Sequence, residues 1–203
     1  MSETGSVKFS CDHEVAELAP FPGMAELNAC RAELRKLGML GVDANGIGFG
    51  NLSIRDGATD HFYITGSATG GQATLKLGDY ACVYECAFER NWLSCTGGTV
   101  ASSEALTHAA LYRREQNIGA VIHGHDHALW TRLLDQVPTT AAAVDYGTAE
   151  MAREVERLFA ETDVRERQIF IMAGHSAGFV TFGTDLSEAL RVLKNHTRRR
   201  GSG

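Results

Sequence analysis

With 203 residues, 44% of them hydrophobic, the chain can bury one sizeable core and is short for more than one full domain. A net charge of −6 excludes a broad basic face for nucleic acid, and no apolar run approaches the roughly 18 residues of a membrane span. Five cysteines, an odd number with no CxxC pair, read as reduced thiols of a cytoplasmic protein rather than as a disulfide framework.

Residues 1–20 show few periodic apolar positions and no apolar leader core, so an N-terminal arm is expected there. A single domain over 21–197 and a flexible basic tail over 198–203 complete the expected organisation. Pro20 and Pro22 introduce a helix, Met24 to Leu37, with Leu27, Cys30, Leu34 and Leu37 on one stripe. Gly46 to Arg55 is dense in glycine and runs into a strand, His61 to Thr65 is a short strand, and 65–71 is a loop of small residues. Tyr80 to Glu89 alternates as a strand does, and Asn91 to Ser94 reads as its hairpin partner. Cys82 and Cys86 fall in that run, without the second pair that a metal site of this kind needs.

Ser102 or Ser103 reads as the cap of a helix that opens at Glu104 and runs to about Arg114. A strand follows over 118–123, then a short helix, His127 to Leu134, capped by Asp126. Thr148 to Ala160 is amphipathic, with Met151, Val155, Leu158 and Phe159 on one face. Residues 168–173 and 177–182 read as an antiparallel pair across Gly174-His175-Ser176, and a last helix, Leu186 to about Asn195, is capped by Thr184 or Asp185. Consecutive strands dominate the first half, which favours an antiparallel or mixed sheet flanked by helices over a doubly wound parallel one.

The chemistry concentrates at His123-Gly124-His125, which closes the apolar run 119–122. Histidines at i and i+2 on a strand point to the same side, as two imidazoles must to share one metal. Buried side by side without a partner they would be costly. His175, after the second apolar strand, supplies a third nitrogen, and three histidines leave a tetrahedral metal one open position, the arrangement of a catalytic site. Glu104 is the candidate carboxylate, with His108 one helical turn beyond it. Asp126 and His127 suit either the polar start of a helix or an acceptor for a ligand histidine's free N–H. Ser102 and Ser103, at a helix N-terminus, suit an anion, and the Gly46–Gly50 run reads equally as a tight turn or as backbone that approaches a ligand closely. His13, His61 and His196 carry no such context.

Five motifs then stand in order: Gly50-Asn51-Leu52-Ser53-Ile54-Arg55, Ile64-Thr65-Gly66-Ser67, Ser102-Ser103-Glu104 with His108, Val121-Ile122-His123-Gly124-His125, and Ala173-Gly174-His175 followed by Gly183-Thr184-Asp185-Leu186. In this order, over about residues 24–195, the chain resembles the class II aldolase/adducin family, which includes fuculose-phosphate and rhamnulose-phosphate aldolases, ribulose-phosphate 4-epimerase and methylthioribulose-phosphate dehydratase. The resemblance implies an α/β fold, a three-layer α/β/α sandwich with a mainly antiparallel central sheet. It also implies a cytoplasmic homotetramer with active sites between neighbouring subunits.

Residue by residue, the resemblance makes His123, His125 and His175 the ligands of Zn²⁺ or another divalent metal such as Mn²⁺ or Co²⁺. It makes Glu104 the acid/base, and Gly50, Asn51, Ser102 and Ser103 the phosphate-holding groups of a sugar-phosphate-like substrate, with Ser67 or Thr69-Gly70 contributing from the next loop. The implied activity is that of a lyase, an aldolase that cleaves or forms a carbon–carbon bond in a ketose phosphate or related hydroxy-carbonyl compound through a metal-held enediolate. Epimerase, dehydratase and decarboxylase reactions on the same scaffold are the alternatives, ahead of an adducin-like module without catalysis. The chain departs from the family pattern at Ala101, where proline is usual, in a longer loop after Ile64, and in Gly174-His175-Ser176 for Asn-His-Gly. Its short stretch from His125 to Tyr146 leaves the neighbouring subunit's tyrosine without an assigned counterpart.

Overall fold

A computed structural model describes residues 7–197. The basic tail, 198–203, lies outside the described residues. The chain opens with β1 (Ser10–Val15) and α1 (Met24–Lys36), followed by two short strands, β2 (Gly41–Val42) and β3 (Gly48–Phe49), that pair with each other. The central sheet is then laid down by β4 (Asn51–Arg55), β5 (Phe62–Thr65), β6 (Tyr80–Ala87) and β7 (Trp92–Gly97). After α2 (Ala105–Arg114) come β8 (Ala120–His125), α3 (His127–Leu133), α4 (Ala149–Glu161), α5 (Val164–Arg167), β9 (Ile169–Ile171), β10 (Gly178–Gly183) and α6 (Leu186–Thr197).

The eight-stranded sheet has the order β1-β7-β6-β5-β4-β8-β10-β9. Every neighbouring pair is antiparallel except β1 with β7. Alternating side chains feed a core on each face. On one face α2 and α4 cover Phe62, Val121, Phe170 and Val180; on the other α1, α3 and α6 cover Leu52, Ile122, Ile171 and Phe179. The helices reach these cores by the stripes their sequences carry: Leu27, Cys30 and Leu34 are the buried side of α1, and Met151, Val155, Leu158 and Phe159 that of α4. The result is a three-layer α/β/α sandwich around a mainly antiparallel sheet. Among the described residues no helix is long and apolar enough to cross a membrane.

Two local expectations change. Within residues 1–20, the segment 10–15 is a strand in the sheet rather than a free arm. Val7, Phe9 and Cys11 alternate with Lys8, Ser10 and Asp12, a period-two signal that the segment's polar composition masks, and Phe9 is buried against the core. Helix α2 begins one residue past Glu104, which itself occupies the N-cap without a side-chain capping bond; the Ser102 carbonyl accepts from the Ala105 N–H instead. The caps expected at Asp126 and Asp185 are in place, and Thr148, expected as the first residue of its helix, is the cap of α4. Asp126 accepts from the Leu129 N–H at 2.8 Å, Thr148 from the Met151 N–H at 3.3 Å and Asp185 from the Glu188 N–H at 2.8 Å.

Leu52 is fully buried on β4 between β5 and β8. Truncation there leaves a cavity at the centre of the sheet. Leu52→Ala is expected to lower unfolding stability by about 2–5 kcal/mol, read as a reduced midpoint at unchanged slope in urea.

Candidate active site

The site forms where β8 leaves the sheet. Its alternation sends His123 and His125 to one side, and Gly124 between them faces the other. A Cβ at Gly124 would lie 2.7 Å from the Phe179 ring and 2.9 Å from the Met39 carbonyl, so this position between the two histidines has no room for a side chain. Antiparallel register places Asn51 of β4 directly opposite His123, and Val180 of β10 opposite it on the other flank. His175 comes from the turn joining β9 to β10. That turn is closed by the His175 N–H donating to Met172 O at 3.1 Å and by the Gly178 N–H donating to His175 O at 2.8 Å.

The three imidazoles converge, His125 edge-on to the other two and His123 stacked with His175. His125 Nε2 lies 3.2 Å from His123 Nε2 and 2.9 Å from His175 Nε2. Nitrogens around a tetrahedral metal at 2.0–2.1 Å are separated by about 3.3 Å, so the spacing is that of a ligand set. His123 Nδ1 stands 3.0 Å from the Phe179 carbonyl. A carbonyl only accepts, so Nδ1 carries the proton and Nε2 keeps its lone pair for the centre of the cluster. Burial holds all three below the ordinary histidine range, His125 at about 4, His175 at about 3 and His123 well below, and the neighbouring rings push His123 and His175 further down. At neutral pH the rings are therefore neutral, the form that binds a cation. These histidines are the one such cluster among the described residues.

Glu104 lines the same cavity and is 1% exposed. Its Oε2 accepts from Thr107 Oγ1 at 2.7 Å, and the Gly147 backbone N–H also donates to the carboxylate. Gly147 has φ +65°, and a Cβ there would sit 2.3 Å from the Ser103 carbonyl, so glycine permits the close approach that makes this contact. Oε1 has no hydrogen-bond partner among the described residues. Burial raises the carboxyl to about 7, against the pull of the Thr107 bond and of Lys8. A group that titrates there can both give and take a proton at physiological pH.

The remaining candidates, Gly50, Asn51, Ser67, Ser102 and Ser103, line this cavity as well, as does Thr69. Asn51 is buried, and its Oδ1 lacks a partner. His108 does not join. It sits on the buried side of α2, outside the histidine cluster, where Ser53 Oγ stands 2.7 Å from its Nδ1 and 2.7 Å from Tyr112 Oη. Asp126 is spent as the cap of α3, and His13 reaches the Gly97 carbonyl. Cys82 and Cys86 belong to no cation-holding group.

Three neighbours of the site escape a reading of the sequence. The Tyr146 ring lies 4.4 Å from that of His175, and the Phe49 ring 5.3 Å from that of His125. Lys8, from the chain's start, pairs with Asp145 at 2.5 Å and sits 3.6 Å over the Tyr146 ring. Nothing in the local sequence marks them. Thr107 was findable, since residues i and i+3 share a helix face with Glu104 at its start.

Residues 32–198 match the family model described as the class II aldolase and adducin N-terminal domain, and the chain belongs to this family. No curated protein matches the chain. Among solved structures, an L-fuculose 1-phosphate aldolase superposes with a TM-score of 0.68 at 18% identity, over 91% of this chain and 85% of its own. YgbL from Escherichia coli, given as aldolase/epimerase/decarboxylase without a choice among the three, superposes at 0.62 with 20% identity, over 85% and 83%. An L-fuculose 1-phosphate aldolase from Glaciozyma antarctica PI12 reaches 0.57 at 15% identity, over 90% and 76%. These likenesses establish the shared fold.

The depressed histidines set a pH dependence for the metal-free protein. Their folded pKa values lie below the unfolded value near 6.5, so their contribution is present above that pH and is lost as pH falls toward 4 and then 3. Glu104, raised instead, works in the opposite sense between about 4.5 and 7, but it is one group against the three of the cluster and His108, which burial lowers to about 3. With chelator present, the thermal midpoint is expected to drop between pH 7 and pH 5.5, and His175→Asn should flatten that slope. Equal midpoints at the two pH values would contradict buried neutral histidines.

Proposed function

We propose that the chain is a metal-dependent lyase of the aldolase type, acting on a ketose phosphate or a related hydroxy-carbonyl compound. The observation that carries this reading is the convergence of three neutral imidazole nitrogens, 2.9 and 3.2 Å apart, beside a carboxyl raised to about 7. His123, His125 and His175 would hold the metal, with Zn²⁺ the first choice for three nitrogen ligands and Mn²⁺ or Co²⁺ the next. Once bound, a divalent cation supplies the positive charge that polarises a substrate carbonyl.

The chain's own groups do the rest. In the cleavage direction Glu104, with Oε1 directed to no protein partner among the described residues, takes the proton of the hydroxyl on the β carbon; the bond between the α and β carbons breaks, the β carbon leaves as an aldehyde, and the proton goes to the α carbon of the fragment that keeps the carbonyl. Asn51 orients a hydroxyl of the substrate through its unpartnered Oδ1. The cavity lining holds neither lysine nor arginine, so a phosphate would be held by the hydroxyls of Ser67, Ser102 and Ser103 and by backbone N–H groups around Gly50. Phe49 stacks on His125, and Tyr146 lies tilted against His175, apolar surface beside two of the three ligands. A cytoplasmic homotetramer in which a neighbouring subunit completes the site belongs to the same proposal, supported by family membership.

Epimerase, dehydratase and decarboxylase reactions draw on the same proton transfer, and the fold is shared with YgbL as well as with the fuculose-phosphate aldolases. An adducin-like module has no use for three neutral imidazoles and a raised carboxyl around one cavity. Product analysis separates the enzymatic readings: an aldolase yields two fragments, a decarboxylase releases carbon dioxide, and an epimerase or dehydratase leaves the carbon chain whole.

Elemental analysis is expected to find about one divalent metal per chain in the wild type and none in His123→Ala. Glu104→Gln should keep the metal and lose roughly 10²–10⁴-fold in turnover. Wild-type protein that takes up no Zn²⁺, Mn²⁺ or Co²⁺ would end the lyase reading. For the phosphate subsite, Ser103→Ala is expected to raise KM for a phosphorylated substrate with little change in kcat, and to weaken inhibition by inorganic phosphate in parallel.

A further inference from the structure

Strand β1 lies outside the 32–198 match to the family and carries a thiol that the reaction above does not use. Cys11 on β1 and Cys95 on β7 have their sulfurs 3.4 Å apart, and both are free thiols. The parallel register sets Cys11 against Leu93 and His13 against Cys95, so the two cysteines are diagonal neighbours on the sheet face covered by α2. A disulfide needs about 2.05 Å between sulfurs, so the bond closes as the sulfurs turn toward each other and the edge strand adjusts. Cys95 is fully buried and Cys11 only partly, so a dissolved oxidant meets Cys11 first.

We propose that Cys11 and Cys95 form a reversible disulfide that staples the N-terminal strand to β7, with a peroxide as the oxidant. The Cys11 thiolate attacks one oxygen of hydrogen peroxide, the O–O bond breaks, and hydroxide leaves as Cys11 becomes a sulfenic acid. The Cys95 sulfur then attacks the Cys11 sulfur, the S–S bond forms, the S–O bond breaks, and the second oxygen departs as water with the Cys95 proton. Two thiols and one peroxide give one disulfide and two waters, the sulfurs supplying the two electrons that the oxygens accept. Burial and the neighbouring Cys95 push the Cys11 thiol up to about 12, so the thiolate is scarce at neutral pH and the staple closes slowly, faster as pH rises.

The staple bears on the active site through the residues just before it. Lys8, three residues from Cys11, holds Asp145 and covers the Tyr146 ring that packs against His175. Apart from those contacts, the start of β1 is tied down by Asn91, whose Nδ2 donates to the Lys8 carbonyl at 2.7 Å and whose carbonyl accepts from the Ser10 N–H at 2.9 Å. An edge strand is bonded on one side only and opens more readily than the sheet's centre. A covalent tie at Cys11 keeps Lys8 against the cavity wall when those bonds open.

Cys86, opposite Leu93 on β6, shares the face and is the competing partner. The full chain and its Cys11→Ser, Cys95→Ser and Cys86→Ser variants are exposed to hydrogen peroxide at pH 8, followed by intact mass, peptide mapping and tryptic cleavage after Lys8. The expected result is loss of two hydrogens in the wild type and in Cys86→Ser, mapped to Cys11–Cys95, absent from the other two variants and reversed by dithiothreitol, with cleavage after Lys8 slowed several-fold. A Cys86–Cys95 bridge, or over-oxidation of Cys11 while Cys95 stays free, would overturn the pairing. Unchanged cleavage in the bridged protein would overturn the stapling. Mapping of the wild type alone decides the pairing should a variant not fold.

Discussion

The register of β8 between β4 and β10 is the constraint on which the site depends. Side chains alternate across a strand, so a slip of one residue would carry His123 and His125 to the opposite face and bring Gly124 to the cavity. The apolar partners forbid that slip: Val121 and Ile122 belong to different cores, one under α2 and one under α1 and α6, and exchanging them would exchange both. The same pairing brings Asn51 level with His123 and fixes the turn that carries His175. Hydrophobic burial on two faces thus positions polar groups at the strand ends.

Burial also sorts the histidines. His108 and His123 are both almost fully enclosed, and both are held neutral by desolvation. His108 has a serine hydroxyl within 2.7 Å, in a chain that continues to Tyr112. His123 instead turns its acceptor nitrogen toward His125 Nε2 at 3.2 Å, itself 2.9 Å from His175 Nε2. Three ring nitrogens around one point can exchange hydrogen bonds only in pairs, whereas a cation between them engages all three at once. This contrast, rather than burial alone, separates a ligand set from core polarity.

Much of this was legible in the sequence, and the reasons differ by element. The stripes of α1 and α4 and the alternation of β6 are local patterns, and they fold as they read. The His-Gly-His spacing is local too. That Glu104 and His175 share its cavity is a long-range fact, legible through the ordered motifs of the family and not through periodicity. Strand β1 was hidden because its partner lies some eighty residues away and because exposed polar residues dilute its alternation. Tyr146, Phe49 and Lys8 reach the site through loop geometry, which no residue pattern encodes. Ser102 and Ser103 read as caps because serine favours that position, yet here they line a cavity and leave the N-cap to Glu104.

The parallel strand at the sheet's border has a bearing on solubility. A sheet of this width has two borders, and each presents unpaired backbone groups to any other strand. One border is β9, only three residues long and covered at Ile171 by residues 138–140, where the Ile171 N–H donates to the Pro138 carbonyl and the Ile171 carbonyl accepts from the Thr140 N–H. The other would be β7, a longer strand with Leu93 and Cys95 beneath it, if β1 did not run alongside. β1 ends the sheet instead with Asp12, His13 and Glu14, charged or polar residues that discourage a further strand from docking. Removal of the first fifteen residues would uncover β7, and the consequence would be felt less in the chemistry than in edge-to-edge association of one molecule with the next.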